Sequence, residues 1–282
     1  MPTSLCRVAL GLLTLTALGC QTAGGLQRKA ADLLLPPADE AKLGVQLRTQ
    51  ILQQEHELPD PQVQAYVQSV GDKIVALDAD RLPNGVHPHF TVLDDDQVNA
   101  FAVPGGDIFV LSGLLRAVHN EAELASVLSH EMGHVMERHV AQGLVAQMGA
   151  QTVAQIITGQ NPSALAKVAS SVAENGYLIR NTQGFERQAD HDGMATMIRS
   201  EWDPHQMVSF FNDLAQQQGA RPSALAAFLS SHPPPADRAQ YLTQQLQAAG
   251  DKGGAANPEA IAAIQKRLPP PHPPRPAQTP QG

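Results

Sequence analysis

The stretch SVLSHEMGHVMERH, residues 126–139, sets His130 and His134 four apart with Glu131 directly after the first. On a helix this spacing puts both imidazoles on one face, where they can reach a single tetrahedral zinc while Glu131 sits beside the metal's open position. A metal held in this way activates water, and the neighbouring carboxylate can take the proton. The other reading is a solvated helix face whose histidines cap or hydrogen-bond. Val127, Leu128, Met132 and Val135 in the same stretch indicate an apolar, packed helix. Context elsewhere in the chain must decide between the two.

A third ligand is needed. A metzincin pattern is excluded, because Glu137 and Val140 stand where it requires Gly and His. Glu186 and Asp190, in GFERQADHDG, are four apart on a predicted helix. Like charges at that spacing repel by a few tenths of a kcal/mol, so the pair suggests nearby cation density. Glu186 as a ligand, with Asp190 accepting from a ligand histidine and orienting it, gives both carboxylates a role; an exposed acidic face balanced by Arg187 is the alternative. His139 lies about half a turn round the helix from His130 and cannot share its metal, so it reads as a packed, hydrogen-bonded histidine. His232, in SSHPPPADR, precedes a proline run that stiffens its loop. It can hold an imidazole over the zinc, as a resting ligand or an oxyanion donor, or it is a loop histidine before a helix start. Arg238 follows as a partner for the acidic pair, and His191 is expected to point away.

These residues need helices to carry them. Apolar residues recur at helical spacing from Pro37 to about Glu57 and from Asp60 to about Leu77. HFTVLDDDQVNAFAVPGGDIFVLS alternates apolar and polar residues around a Pro-Gly-Gly turn, and reads as a short antiparallel unit with a hairpin at Pro104 to Gly106. Asn120 is a good N-cap with Glu123 three positions on, so a helix is expected from there through the histidines to about Arg138. Residues 140–180, rich in Ala, Val, Ser and Gln, read as helical packing that includes a hairpin over the site. Further helices are expected at 184–199, 204–218, 235–248 and 257–267. The fold class is α+β and mostly helical.

The chain has 282 residues, 43% of them hydrophobic, enough for one globular unit. Its formal net charge of −8 comes with no clustered Lys/Arg stripe, which argues against nucleic acid as a partner. Both cysteines, Cys6 and Cys20, fall near the start, so any metal must be held by His and carboxylates. Arg7 and the run VALGLLTLTALG form a signal-peptide core too short to span a bilayer, which takes roughly 20 apolar residues. Ala17, Leu18 and Gly19 before Cys20 resemble a bacterial lipobox, with Ala17 in place of the usual Leu, so a lipidated Cys20 is expected to tether the protein to a membrane. The organisation is then a signal peptide at 1–19, a tether at 20–36, a catalytic domain at 37–267 and a disordered Pro-rich tail at 268–282.

The motifs VNAFAVPGGDIFVLSGLL, LSHEMGHVMERH, ERQADHDG and SHPPPADR, in this order, resemble the HtpX-type and CAAX prenyl endopeptidase family of gluzincins. The likeness covers about residues 60–245 and is strongest to soluble bacterial envelope members and mitochondrial Oma-type enzymes. The resemblance implies a zincin-like (minigluzincin) domain, one zinc held by His130, His134 and Glu186, and peptide-bond hydrolysis with Glu131 as base. It also implies a rim strand that aligns an extended polypeptide, here the edge with Asn99, Ala100 and Phe101, although Asn99 also fits an ordinary strand entry. The expected location is the periplasmic face of the envelope, at the outer membrane.

Overall fold

The computed structural model describes residues 28–175, 182–217, 228–233 and 237–272. Cys20, the signal peptide and residues 273–282 lie outside them. A helix at 28–34 (α1) leads into α2 (Pro37–Gln54) and α3 (Pro61–Asp78). Both long helices begin with proline, whose fixed φ suits the first turn, and Asp60 caps α3 by accepting from Gln62 N and Val63 N. The strands β1 (His89–Leu93), β2 (Ala100–Ala102) and β3 (Asp107–Leu111) follow. After them come α4 (Ser112–Ala117), α5 (Glu121–Met136), α6 (His139–Met148), α7 (Ala150–Ile157) and α8 (Pro162–Asn175). Then follow α9 (Gln183–Arg199), α10 (His205–Gln217), α11 (228–231), α12 (Arg238–Ala248) and α13 (Pro258–Gln265). The described residues are mostly helical with one small sheet, as expected.

The sheet departs from expectation in one respect. Its order is β1-β3-β2; β2 and β3 form the antiparallel hairpin, but β1 runs parallel to β3. β3 takes the centre, with β1 paired on one edge and β2 on the other, and all three strands are largely buried. An alternating sequence is the same for parallel and antiparallel neighbours, which is why the direction of β1 was not readable. β2 is left as an edge strand.

Two other expectations change. Residues 28–35, read as tether, pack instead: Ala31 and Leu35 are buried, and the Leu35 carbonyl and Asp32 accept hydrogen bonds from Arg138. Residues 269–272, read as tail, lie against α4 and the loop after β1, where Arg116 donates to the Pro269 carbonyl at 2.9 Å. The segment 139–175 folds into α6, α7 and α8, and both α7 and α8 pack on α2. Among the described residues no helix is long and apolar enough to cross a membrane.

α5 is buried along its whole length and is the axis of the fold. Its N-cap Asn120 accepts from Glu123 N at 2.9 Å, while the Glu123 carboxylate accepts from His119 N at 2.7 Å. α5 and α9 lie unusually close because glycine stands at both crossings. A Cβ on Gly133 would lie 2.8 Å from Ala189 Cα, and one on Gly193 would lie 3.0 Å from His130 N. α5 stops one turn after His134: Arg138 takes a left-handed conformation (φ 58°), which costs a non-glycine residue roughly 1 kcal/mol. Its buried guanidinium offsets this by bonding Glu40 at 2.6 Å as well as Asp32 and the Leu35 carbonyl.

Candidate metal centre

The close approach of α5 and α9 brings two pairs of side chains together. His130 and His134 on α5 present Nε2 atoms 3.1 Å apart. Glu186, from the first turn of α9, sets Oε2 3.5 Å from His130 Nε2 and Oε1 3.4 Å from His134 Nε2. His232, just after α11, adds Nδ1 at 3.3 Å from His130 Nε2 and 3.2 Å from Glu186 Oε1. One ligand atom from each of these four buried residues falls within 4.8 Å of the others.

The remaining residues form a shell around this group. His130 Nδ1 is 2.9 Å from Asp190 Oδ1. Asp190 in turn accepts from Arg238 and from Tyr241, both on α12. The Arg238 guanidinium also lies 3.7 Å from Glu186 and stacks over the Phe211 ring, 3.5 Å from its centroid. Glu131 Oε2 accepts from the backbone N–H of Ala102 at 3.1 Å, which fixes the carboxylate against β2. Its Oε1 lies 3.4 Å from His232 Nε2 without hydrogen-bond geometry.

Electrostatics bear on whether a cation belongs here. With neutral imidazoles, the three buried carboxylates Glu131, Glu186 and Asp190 face a single guanidinium, Arg238, among the described residues, so this group of side chains carries two net negative charges. A divalent ion balances it. Glu131 Oε1, Glu186 Oε2 and His232 Nε2 are buried without hydrogen-bond partners among the described residues. Such atoms cost about 1 to 3 kcal/mol each unless something else satisfies them. Burial favours a neutral His130, but Asp190 and Glu186 outweigh it and push its pKa up to about 9. Burial also resists ionisation of Glu186, yet the imidazoles of His232, His130 and His134 hold its carboxyl well below the usual range. Burial opposes Asp190 similarly, and Arg238 and His130 overcome it. A proton on His130 is the metal-free response to this field; a bound cation displaces it. The donor set, the charge and the unpartnered atoms all fit a metal ion.

Of the residues singled out in the sequence, His130, Glu131, His134, Glu186, Asp190, His232 and Arg238 meet here. His139 begins α6, outside the four-residue group, with its ring turned to His134. His191 is exposed on α9. Asn99 and Ala100 are fully buried at and before the edge strand, and the Phe101 ring stacks on Phe109 in the core, centroids 5.2 Å apart. Ser231 donates to Asn99 Oδ1 at 3.5 Å, joining the edge strand to the loop of His232. Sequence reasoning missed Tyr241, three residues after Arg238 on the same helix face, and the Ala102 amide. Tyr241 had a signal in that spacing, whereas a backbone donor has none.

Comparison with known proteins adds independent findings. Residues 61–246 match peptidase family M48. The chain is 32% identical to the beta-barrel assembly-enhancing protease of Yersinia pestis over 222 residues, which cover 74% of this chain and 43% of that protein. It is 31% identical to the metalloprotease LoiP of Escherichia coli (strain K12) over 174 residues, 60% of this chain and 67% of that one. It is 28% identical to the mitochondrial metalloendopeptidase OMA1 of Arabidopsis thaliana over 160 residues, 57% and 32% respectively. The chain therefore spans less than half the length of the beta-barrel assembly-enhancing proteases it matches. The matched segment covers more than half of the chain and contains all four motifs that carry the resemblance, and the chain belongs to peptidase family M48.

Proposed function

We propose that the chain is a zinc-dependent endopeptidase of the bacterial cell envelope that cleaves extended segments of envelope proteins. The observation that carries this reading is the buried set His130, His134, Glu186 and His232, whose ligand atoms lie within 4.8 Å, with the Glu131 carboxylate beside it. Imidazole and carboxylate donors without thiolate suit zinc. Zinc held there would act as a Lewis acid, easing proton loss from water near neutral pH and polarising the scissile carbonyl.

Glu131 is the base. The Ala102 amide holds its Oε2, leaving Oε1 to take the proton from the attacking water and return it to the leaving amine. Asp190 orients His130 through Nδ1, and Arg238 steadies Asp190. Substrate pairs with the free edge of β2. The Asn99 carbonyl and the Val103 amide are used on β3, so the alternation of a strand turns the backbone groups of Ala100 and Ala102 outward; the Ala102 amide is taken by Glu131, which leaves the Ala100 amide and the Ala100 and Ala102 carbonyls for substrate. Binding through those groups ignores side-chain identity, which suits a peptidase acting on unfolded chains. Phe101 takes no part in this pairing, because its backbone faces Phe109 on β3 and its ring is core.

His232 would hold the zinc as a fourth ligand at rest, a role supported by its Nδ1 contacts with His130 and Glu186. In that role it would keep the peptidase off in the absence of substrate. His232→Ala should therefore raise hydrolysis of an unfolded model protein at matched zinc content. If His232 is instead an oxyanion donor, the same variant falls by about a hundredfold. The same latch supports a second reading, an envelope chaperone or assembly factor with weak peptidase activity; chelator-sensitive digestion of casein separates the two. Location rests on Cys20 as a lipidation site and on the role in beta-barrel assembly that the relatives' name states. Cys20→Ser should release the protein from the outer-membrane fraction.

The test of the mechanism is Glu131→Gln. The variant should keep its zinc and lose hydrolysis by about a hundred- to ten-thousandfold, because the ligands remain and the base is gone. Undiminished cleavage would overturn the reading.

A further inference from the structure

His134 and His139 place their Nδ1 atoms 2.9 Å apart, deep in the protein. Two ring nitrogens at that distance share one proton. A chain of polar groups continues from there. His139 Nε2 lies 3.2 Å from Gln188 Oε1, and Gln188 Nε2 donates to Glu137 Oε2 at 2.6 Å. Glu137 also accepts from Arg28 on α1, and Arg81 stands 3.8 Å away.

The direction of this chain follows from its far end. The Glu137 carboxylate, faced by two guanidiniums, only accepts. The Gln188 amide must therefore turn its NH2 to Glu137 and its oxygen to His139. The oxygen requires a proton on His139 Nε2. A neutral His139 then bears a lone pair on Nδ1, which accepts from His134 Nδ1–H. His134 in that tautomer carries its lone pair on Nε2, the atom that faces Glu186 and His130.

We propose that His139 is a positioning residue for the metal site, fixing through its Nδ1 both the tautomer and the ring orientation in which His134 offers Nε2 to the metal. The inference rests on the reading of His134 as a zinc ligand. It assigns a role to a residue that the peptidase chemistry itself does not use. Packing is the competing explanation, because the His139 ring also stacks on Phe185, centroids 4.1 Å apart with planes at 17°.

Three substitutions separate these roles. His139→Phe keeps an aromatic ring on Phe185 and removes the acceptor. His139→Asn puts an oxygen near the position of Nδ1, and His139→Gln puts one near Nε2 instead. Zinc affinity is measured on each full-length protein by competition with a chromophoric chelator, alongside the visible absorption of the cobalt(II) form. His139→Phe and His139→Gln should bind zinc about ten- to a hundredfold more weakly with altered cobalt bands, and His139→Asn should recover most of both. Zinc binding by His139→Gln as tight as by wild type, or no recovery in His139→Asn, overturns the proposal and leaves packing. If His139→Phe does not fold, the Asn and Gln pair, one methylene apart, decides alone. A wild type that binds no zinc fails the metal reading together with this one; a wild type that binds zinc while all variants match it fails this one only.

Discussion

The two histidines of α5 stand one turn apart and are held by different kinds of neighbour. His130 Nδ1 meets a carboxylate directly, and that carboxylate is clamped by Arg238 and Tyr241 from α12. His134 Nδ1 meets a neutral ring, and the carboxylate behind it, Glu137, stands two links away beside α1. Titration separates the two sides: carboxylates push His130 up to about 9, whereas burial lowers the pKa of His134. The difference follows from charge. The buried group already carries two net negative charges to set against a dication. A carboxylate placed directly on His134 would add a third, and unpaired charge in the interior is costly. A relay of neutral groups orients the ring without adding charge.

The comparison is broken most severely from the His130 side. Asp190→Ala removes a buried carboxylate and strips Arg238 of its main partner, leaving Glu186 at 3.7 Å. Losing one member of a buried pair costs about 3 to 5 kcal/mol, and the loss of orientation at His130 should weaken zinc binding by about ten- to a hundredfold. His139→Phe should weaken zinc similarly but cost much less stability, since it strands no charge. Denaturant unfolding of the metal-free proteins measures both, and equal destabilisation would erase the distinction between the sides.

A smaller effect comes from pH. His130 titrates near 6.5 when unfolded and at about 9 when folded, so its contribution is fully present below pH 6.5 and lost as pH rises through 9. His134 and His139, with lowered pKa values, act the other way and weaken the fold as pH falls below 6.5. Metal-free protein should therefore be most stable near pH 6.5 and lose on the order of a few kcal/mol by pH 9.5. Zinc-loaded protein should show no such alkaline loss, because the bound metal takes the place of the His130 proton. Unfolding midpoints with and without zinc provide the measurement, and a flat metal-free profile from pH 6.5 to 9.5 would count against the assignment of His130.

The same asymmetry governs what could be read before the fold was known. Helical periodicity converts spacing into a face, so His130 with His134, and Glu186 with Asp190, were legible as pairs from residues four apart. Their meeting was less so: it depends on Gly133 and Gly193 letting α5 and α9 touch, and an isolated helical glycine carries no such message. His232 lies 102 positions from His130, and only the proline run after it and the resemblance of SHPPPADR to a family motif linked them. On the His134 side, a helix end near Arg138 and a packed, hydrogen-bonded His139 were readable, but not what joins them to His134. The junction depends on a left-handed turn at Arg138 that redirects the chain into α6, where glycine or asparagine is the usual signal. It also depends on α1, whose Ala31, Asp32 and Leu35 look like linker until Arg138 is seen to need partners.

Gln188→Leu should produce the smallest effect and sharpen the comparison most finely. Gln188 is the link between His139 and Glu137, and it lies on the exposed face of α9. Leucine removes both of its hydrogen bonds. At an exposed position, however, water can accept from His139 Nε2–H and donate to Glu137, at little cost. The tautomer of His139 is then still favoured, though less strictly. Zinc affinity should fall only about two- to fivefold, against the ten- to hundredfold of His139→Phe. Metal-free stability should change by less than about 0.5 kcal/mol, as is usual for surface substitutions. Chelator competition on the two variants side by side gives the ratio. A Gln188→Leu loss as large as that of His139→Phe would mean that the amide, and not the buried ring, sets the orientation of His134.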